Sequence, residues 1–444
     1  MLEFSKDIVS KKQLEKYWEN NIRPTVVYLH NPFCKTYNNC SYCCHKGCPK
    51  NNHTEKEVND FYFKYMPKLF KYYENILNNQ NIKLVDFGGG TPNYLSAEEF
   101  SKYLKLLPKT LLDKPKIIEL HPALISKDFI KVLHEYKFTT LIFCYQTFDK
   151  NILRNQGRLI PNYDYAFECM ELARSFGMNV AVDLITYWTT EDGWEKVLEK
   201  DLRVLKDFQP DEITISVLYQ NKYNRDDFNG LSVYRKIKRT VRTVFSEYEN
   251  PENTLDECYE VAATRIYKPG SEVRKDFDIY LNSLSDMPWE HEQGYSTLGM
   301  GTYKNGDKAA YSMIGPDLLF YEEFNGFDKK PKIHKHRDYN FWETCRKTID
   351  YLEKELGGKN PPVGANLILT NICESSNLAK EQFAHFFQKE TGKWDMTSRQ
   401  CFSGKSEFEK NIDINFEVMI KGIWQFFNFG VEFLQKGERK WMKI

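Results

Sequence analysis

The chain of 444 residues carries no excess of either charge, 62 Lys and Arg standing against 62 Asp and Glu. That balance excludes the global basic field with which a protein grips nucleic acid or an anionic membrane. No stretch approaches the roughly 18 apolar residues that a bilayer-spanning helix requires. The opening Met-Leu-Glu-Phe-Ser-Lys-Asp has neither the charged nor the apolar region of an export signal. Internal repeats and low-complexity tracts are missing as well. These absences point to a soluble cytoplasmic protein that meets a small molecule or another protein, with no nucleic acid and no membrane. The length suits one large domain with an appended one.

What the chain does have is cysteine, eleven in all. An odd count without an export signal argues against secreted disulfides and for reduced thiols. Five of them, Cys34, Cys40, Cys43, Cys44 and Cys48, crowd into fifteen residues after an apolar segment. Thiolates packed this closely form a soft-metal site. From the residues alone two occupants stand open. Cys40, Cys43, Cys48 and His53 have legitimate spacing for a zinc knuckle, and three of the thiols could instead hold irons of an iron–sulfur cluster. A thioredoxin-type redox pair fits less well, because such motifs open a helix on a different strand arrangement.

Short β-branched or apolar runs alternate with amphipathic stretches, the pattern of an α/β fold with a parallel sheet. Strands are predicted at 25–29, 84–88, 116–120, 141–145, 179–185 and 212–218, with helices near 55–78, 97–107, 127–136, 163–177 and 191–207. Six such units are too few for a closed eight-fold barrel and suit an open one. Functional groups are then expected at the C-terminal ends of the strands. After about residue 220 the alternation fades. Residues 221–229 and 268–275 read as loops, the basic run 329–337 as a solvated loop, and 376–436 as helical and aromatic, packed as core.

The run Tyr28-Leu-His-Asn-Pro-Phe-Cys34, followed by Cys40-Ser-Tyr-Cys43, resembles the cluster loop of radical S-adenosylmethionine (SAM) enzymes of the HemN-like group. Asp86-Phe-Gly88-Gly89-Gly90-Thr91-Pro92, after the second strand, is similar to that family's Gly-Gly-Gly-Thr-Pro loop, whose bare backbone approaches the methionine end of SAM. This second motif favours iron–sulfur over zinc. Further matches follow in family order: Glu119 in Glu-Leu-His-Pro122, Gln146 in Gln-Thr-Phe-Asp149, Arg158 after Gly157, and Asp183 in Asp-Leu-Ile. The resemblance implies a partial (β/α)6 barrel at 25–235, preceded by an arm at 1–24. A substrate-side extension at 236–340 and a mostly helical region at 341–444 would follow.

It further implies that Cys34, Cys40 and Cys43 bind three irons of a 4Fe-4S cluster and leave the fourth for SAM. Reductive cleavage of SAM would release a 5′-deoxyadenosyl radical. Tyr28, Gly89 and Glu119 would contact the SAM at the cluster. Tyr42, Gln146, Arg158, Asp183 and the backbone of Gly90 and Thr91 would contact a second SAM. A flavodoxin or ferredoxin-type electron donor is implied as partner. The chain departs from the family in its C-x5-C-x2-C spacing, where C-x3-C-x2-C is usual, and the roles of Cys44 and Cys48 stay open. Thr186-Tyr-Trp188-Thr replaces Tyr-Gly-Leu-Pro, and Gly299-Met-Gly301, after Tyr295, continues with Thr302-Tyr-Lys304 in place of Ala-His-Ser. The departures point away from housekeeping coproporphyrinogen III oxidation and toward a tetrapyrrole or specialised metabolite. The substrate would undergo methyl transfer, cyclisation or oxidative decarboxylation. A haem-binding chaperone without turnover, or a coproporphyrinogen III dehydrogenase, is the alternative. Pro288-Trp-Glu-His291 lacks the His-Asn-x-Tyr-Trp pattern of such chaperones.

Overall fold

The computed structural model describes residues 8–20, 22, 24–43, 48–189, 193–218, 230–248, 263–271, 273, 296–300, 320–323, 330 and 332–335. The expected helical region 341–444, Cys44, residues 288–291, Tyr295 and Gly301 lie outside them.

The strands in chain order are β1 (Ile8–Val9), β2 (Pro24–Asn31), β3 (Asn81–Gly89), β4 (Lys116–Leu120), β5 (Phe138–Gln146), β6 (Asn179–Thr186) and β7 (Glu212–Val217). They continue as β8 (Ala263–Tyr267), β9 (Ser296–Met300), β10 (Phe320–Glu323) and β11 (Lys332–Lys335). One sheet has the order β8-β7-β6-β5-β4-β3-β2-β9. β2 to β7 pair in parallel, β9 joins β2 in parallel, and β8 lies antiparallel on β7. All six predicted strands are present. The two edge strands were not expected, because they fall where the regular strand–helix alternation has ended.

Helices connect the parallel strands, as the right-handed crossover of a β-α-β unit demands. Their starts are written in the sequence. Ser96 accepts from the Glu99 N–H while Glu99 reaches back to the Ser96 backbone, so Ala97–Leu104 begins at a capping box, and Thr54 with Glu57 does the same for Glu55–Asp60. The single helix predicted at 55–78 is instead broken. A π-helical turn, Phe61–Tyr65, and a further break at Tyr73 divide it.

Side chains alternate across the sheet. Val27, Leu29, Val85, Phe87, Ile118, Leu120, Leu141, Phe143, Val180 and Val182 face the helices in the main core. Val26, Leu84, Ile117, Ile142, Ala181 and Tyr267 form a separate apolar patch on the opposite face. Beyond that patch, toward the C-terminal strand ends, the same face turns polar, and there the candidate site lies.

A second sheet, β1-β11-β10, is antiparallel. It corrects the reading of the basic run as a solvated loop. Residues 332–335 form a strand whose Ile333 and His334 are buried, because pairing with β10 and β1 satisfies the backbone that water would otherwise serve.

Candidate active site at the C-terminal ends of the strands

The cysteine loop leaves the end of β2 and is clasped to the glycine loop that leaves the end of β3. Asn31, buried at the end of β2, organises both. Its Oδ1 accepts from the Phe33 N–H at 3.0 Å, its Nδ2 donates to the Phe33 and Thr91 carbonyls, and its own carbonyl accepts from the Gly90 N–H at 2.6 Å. Gly89 sits at φ 104°, which favours glycine. A Cβ on Gly90 would stand 2.6 Å from the Phe33 carbonyl oxygen and 2.9 Å from Cys34 Sγ. Only bare backbone fits against that thiol.

The rest of the cysteine loop is held in three places. Cys34 N–H donates to the Cys48 carbonyl at 2.9 Å, Cys48 N–H to the Pro32 carbonyl at 2.7 Å, and Ser41 N–H to the Gln156 carbonyl at 3.0 Å. Burial, then the neighbouring Cys43, Cys40 and Cys48, push the Cys34 thiol up to about 12. Three thiols of the run therefore stand within electrostatic reach of the first. The Cys34 thiol becomes thiolate only when a metal takes the proton's place.

The alternative zinc set does not assemble. Cys48 is buried with its thiol donating to the Asn52 carbonyl at 3.4 Å. His53 bonds the Tyr94 hydroxyl at 2.8 Å and packs on Phe33. Among the described residues no group of three or more His, Cys, Asp or Glu could hold a single ion. A cluster asks for something different, one thiolate on each of three irons, and Cys34, Cys40 and Cys43 fit that demand in donor chemistry and in the bare backbone beside them.

Arg158 arrives through a chain of local signals. Asp149 caps Lys150–Asn155, accepting from the Asn151 and Ile152 N–H groups, and Gly157, at φ 71°, ends it. The guanidinium then donates through Nη1 to the Tyr42 hydroxyl at 2.7 Å and through Nη2 to the Cys144 carbonyl. Trp188 packs edge-on against Tyr42, 5.6 Å between ring centroids, and with Leu218 covers Cys40 and Cys43. The structure thus brings Tyr42, Arg158 and the cysteine loop together.

The polar face carries the remaining expected residues. Tyr28, Glu119, Gln146 and Asp183 are half-buried on it. Gln146 sits in the left-handed region at φ 68° beside a register shift in the β5–β6 pairing, and Tyr187, just past β6, sits there at φ 66°. Neither is glycine, so strain is stored at two adjacent strand ends, as is common where chemistry is positioned. Cys144 donates to Asp183 Oδ2 at 3.5 Å. Burial raises the Asp183 carboxyl, opposed chiefly by Arg265.

Three residues escaped the sequence reading. Asn31 showed only a turn-like Asn-Pro. Asp86 is fully buried with neither carboxylate oxygen hydrogen-bonded, held well above the usual carboxylate range by burial and then by Glu119. His121 is buried beside Arg158 at the end of β4. A charged residue in a predicted parallel strand was the available signal for Asp86, since such strands are normally apolar on both faces.

Residues 28–202 match the sequence profile of the Radical SAM superfamily. The chain is 24% identical over 326 residues to the oxygen-independent coproporphyrinogen III oxidase of Escherichia coli K12, covering 71% of this chain and 66% of that relative. To its Helicobacter pylori counterpart it is 26% identical over 324 residues, 68% and 66% of the two chains. To the heme chaperone HemW of Bacillus subtilis it is 27% identical over 174 residues, 36% and 41%. These matches span less than two thirds of the relatives' own length. The solved structure of E. coli coproporphyrinogen III oxidase (HemN), described as a radical SAM enzyme, superposes with a TM-score of 0.54. It is 17% identical, with 96% of this chain and 95% of that chain covered, and so shares the fold.

Proposed function

The chain belongs to the HemN-like group of the radical SAM superfamily, and from that premise we propose an enzyme that reductively cleaves SAM and acts on a tetrapyrrole or a specialised metabolite. The observation that carries this reading is the clasp between the two loops. Asn31 bonds both, and Cys34 Sγ lies where Gly90 leaves no room for a side chain.

Cys34, Cys40 and Cys43 would hold the 4Fe-4S cluster, with Gly89 offering backbone to the methionine end of the SAM bound there and Gly90 and Thr91 offering theirs to a second SAM. When bound, the cluster and SAM supply one-electron cleavage of a carbon–sulfur bond and a deoxyadenosyl radical that takes a hydrogen atom from the substrate. The protein's part is to bind, orient and exclude water. Glu119 would receive the ammonium group of the SAM at the cluster, and Tyr28 would contact the same ligand. Trp188, Tyr42 and Leu218 keep water from Cys40 and Cys43. Gln146, Arg158 and Asp183 are assigned to a second SAM, which would serve methyl transfer, cyclisation or oxidative decarboxylation. The electron comes from a flavodoxin or ferredoxin-type donor.

Anaerobic reconstitution followed by SAM and a strong reductant tests the reading. We expect about four irons, absorption near 400 nm and release of 5′-deoxyadenosine. S-adenosylhomocysteine alongside it would identify methyl transfer, and carbon dioxide from added coproporphyrinogen III would identify decarboxylation. The likeness to HemW supports a second reading, haem carriage. Stoichiometric haem binding without any SAM cleavage would replace the first reading by that one.

A further inference from the structure

His121 follows the last residue of β4, two positions beyond Glu119, and is buried where the strand ends. Its backbone is clamped from the glycine loop. Asn93 Oδ1 accepts from the His121 N–H at 2.9 Å and Asn93 Nδ2 donates to the His121 carbonyl at 3.0 Å, with Asn93 itself only 2% exposed. The end of β4 and the loop after the three glycines are therefore one unit.

The ring is fixed as well. Ala123 N–H donates to His121 Nδ1 at 3.2 Å. A backbone N–H can only donate, so Nδ1 carries no proton and the hydrogen resides on Nε2. Burial first, and then the charge of Arg158, hold the imidazole well below the usual histidine range, consistent with that neutral tautomer. The residue is 6% exposed, and Nε2 has no hydrogen-bond partner. Orphaned buried donors are rare and destabilising. This one is pre-set by independent bonds to its backbone and to its other nitrogen.

The surroundings specify the acceptor. The charge of Arg158 reaches His121; two residues earlier in the chain, on β4, is Glu119, whose charge in turn reaches the buried, unpartnered Asp86 carboxyl. A buried donor next to a carboxylate complements a group that carries an ammonium and a carboxylate together, which is an α-amino acid end.

Building on the function proposed above, we propose that His121 Nε2–H donates to a carboxylate oxygen of the methionine end of SAM, while Glu119 faces its ammonium. His121 would thus be a specificity-determining residue, distinguishing SAM from adenosyl sulfonium compounds that lack the carboxylate.

Equilibrium binding to the anaerobically reconstituted full chain tests this, with SAM and decarboxylated SAM as the two probes. His121→Phe keeps a flat ring of similar size and removes the donor. It is expected to weaken SAM binding about tenfold to a hundredfold, as loss of one charge-assisted hydrogen bond predicts, and to leave decarboxylated SAM unchanged. His121→Gln, which restores a donor, is expected to recover much of the difference. Unchanged SAM affinity in His121→Phe, or equal loss for both probes with no recovery in His121→Gln, overturns the assignment while leaving the function proposed above intact. Wild-type protein that holds its cluster yet binds no SAM overturns both.

Discussion

Arg158 Nη1 donates to the Tyr42 hydroxyl at 2.7 Å, joining residues 116 apart in the sequence. The same guanidinium bonds the Cys144 carbonyl, and its charge reaches Cys34, Asp183 and His121. It is the cation around which the cysteine loop, the end of β5 and the end of β4 are arranged.

Arg158→Lys keeps the charge and loses the fork, since an ammonium on a flexible stem cannot serve both acceptors in the same geometry. We expect about 2 kcal/mol less stability and a SAM affinity lower by tenfold or more. Denaturant unfolding and equilibrium binding on the reconstituted protein measure the two. Wild-type values in both would remove Arg158 from the centre of the site.

Gly90→Ala places a methyl group 2.9 Å from Cys34 Sγ and 2.6 Å from a backbone oxygen, both closer than carbon is found in real contacts. The nearer neighbour is backbone and cannot rotate away, so the loops must part. Iron content after reconstitution is expected to fall to less than half of wild type, and retention of full iron together with SAM binding would contradict the clasp.

Cys34→Ala, Cys40→Ala and Cys43→Ala are each expected to abolish SAM cleavage and the absorption near 400 nm. Cys48→Ala should behave differently, because its thiol is spent on the Asn52 carbonyl. It should lose about 1 kcal/mol of stability and keep its iron. If instead Cys48→Ala loses the cluster while Cys34→Ala retains it, the ligand register is wrong.

Asp201 is 2% exposed and accepts from the Phe148 N–H at 2.8 Å, fixing the Gln-Thr-Phe turn of β5 from the helix Trp194–Leu205. Burial pushes its carboxyl up from 3.8 to about 7. Between those values the folded chain holds a proton that the unfolded chain has released. Stability from this group is therefore greatest below pH 4 and declines as pH rises to about 7, by about 4 kcal/mol in all. Asp201→Asn preserves an acceptor and cannot ionise. Its melting temperature should change less than that of wild type between pH 5 and pH 8, and equal slopes would refute the assignment.

The six parallel strands were legible because each is a short apolar run ending in turn residues, and Glu119, Gln146, Arg158 and Asp183 could be placed because each lies at or just beyond a strand end or a helix cap. β8 and β9 were not legible, since a strand added to a sheet edge from far along the chain leaves no local periodicity. Asn31 and His121 were missed for a related reason. Their importance lies in bonds to Gly90, Thr91 and Asn93, at sequence distances that no motif encodes. The π-helical turn at Phe61–Tyr65 was hidden by its apolar periodicity, which a continuous helix would share.

β2, the strand that delivers the cysteine loop, pairs with β3 on one side and with β9 on the other, Thr25 lying opposite Ser296. During synthesis its second neighbour emerges about 270 residues after it, which at ~5–20 residues per second is roughly 15 s to one minute. For that interval the nascent chain carries a bare sheet edge next to several free thiols. Maturation of this protein is thus ordered in time, with the edge to be guarded from other chains and the thiols from oxidation until β9 docks.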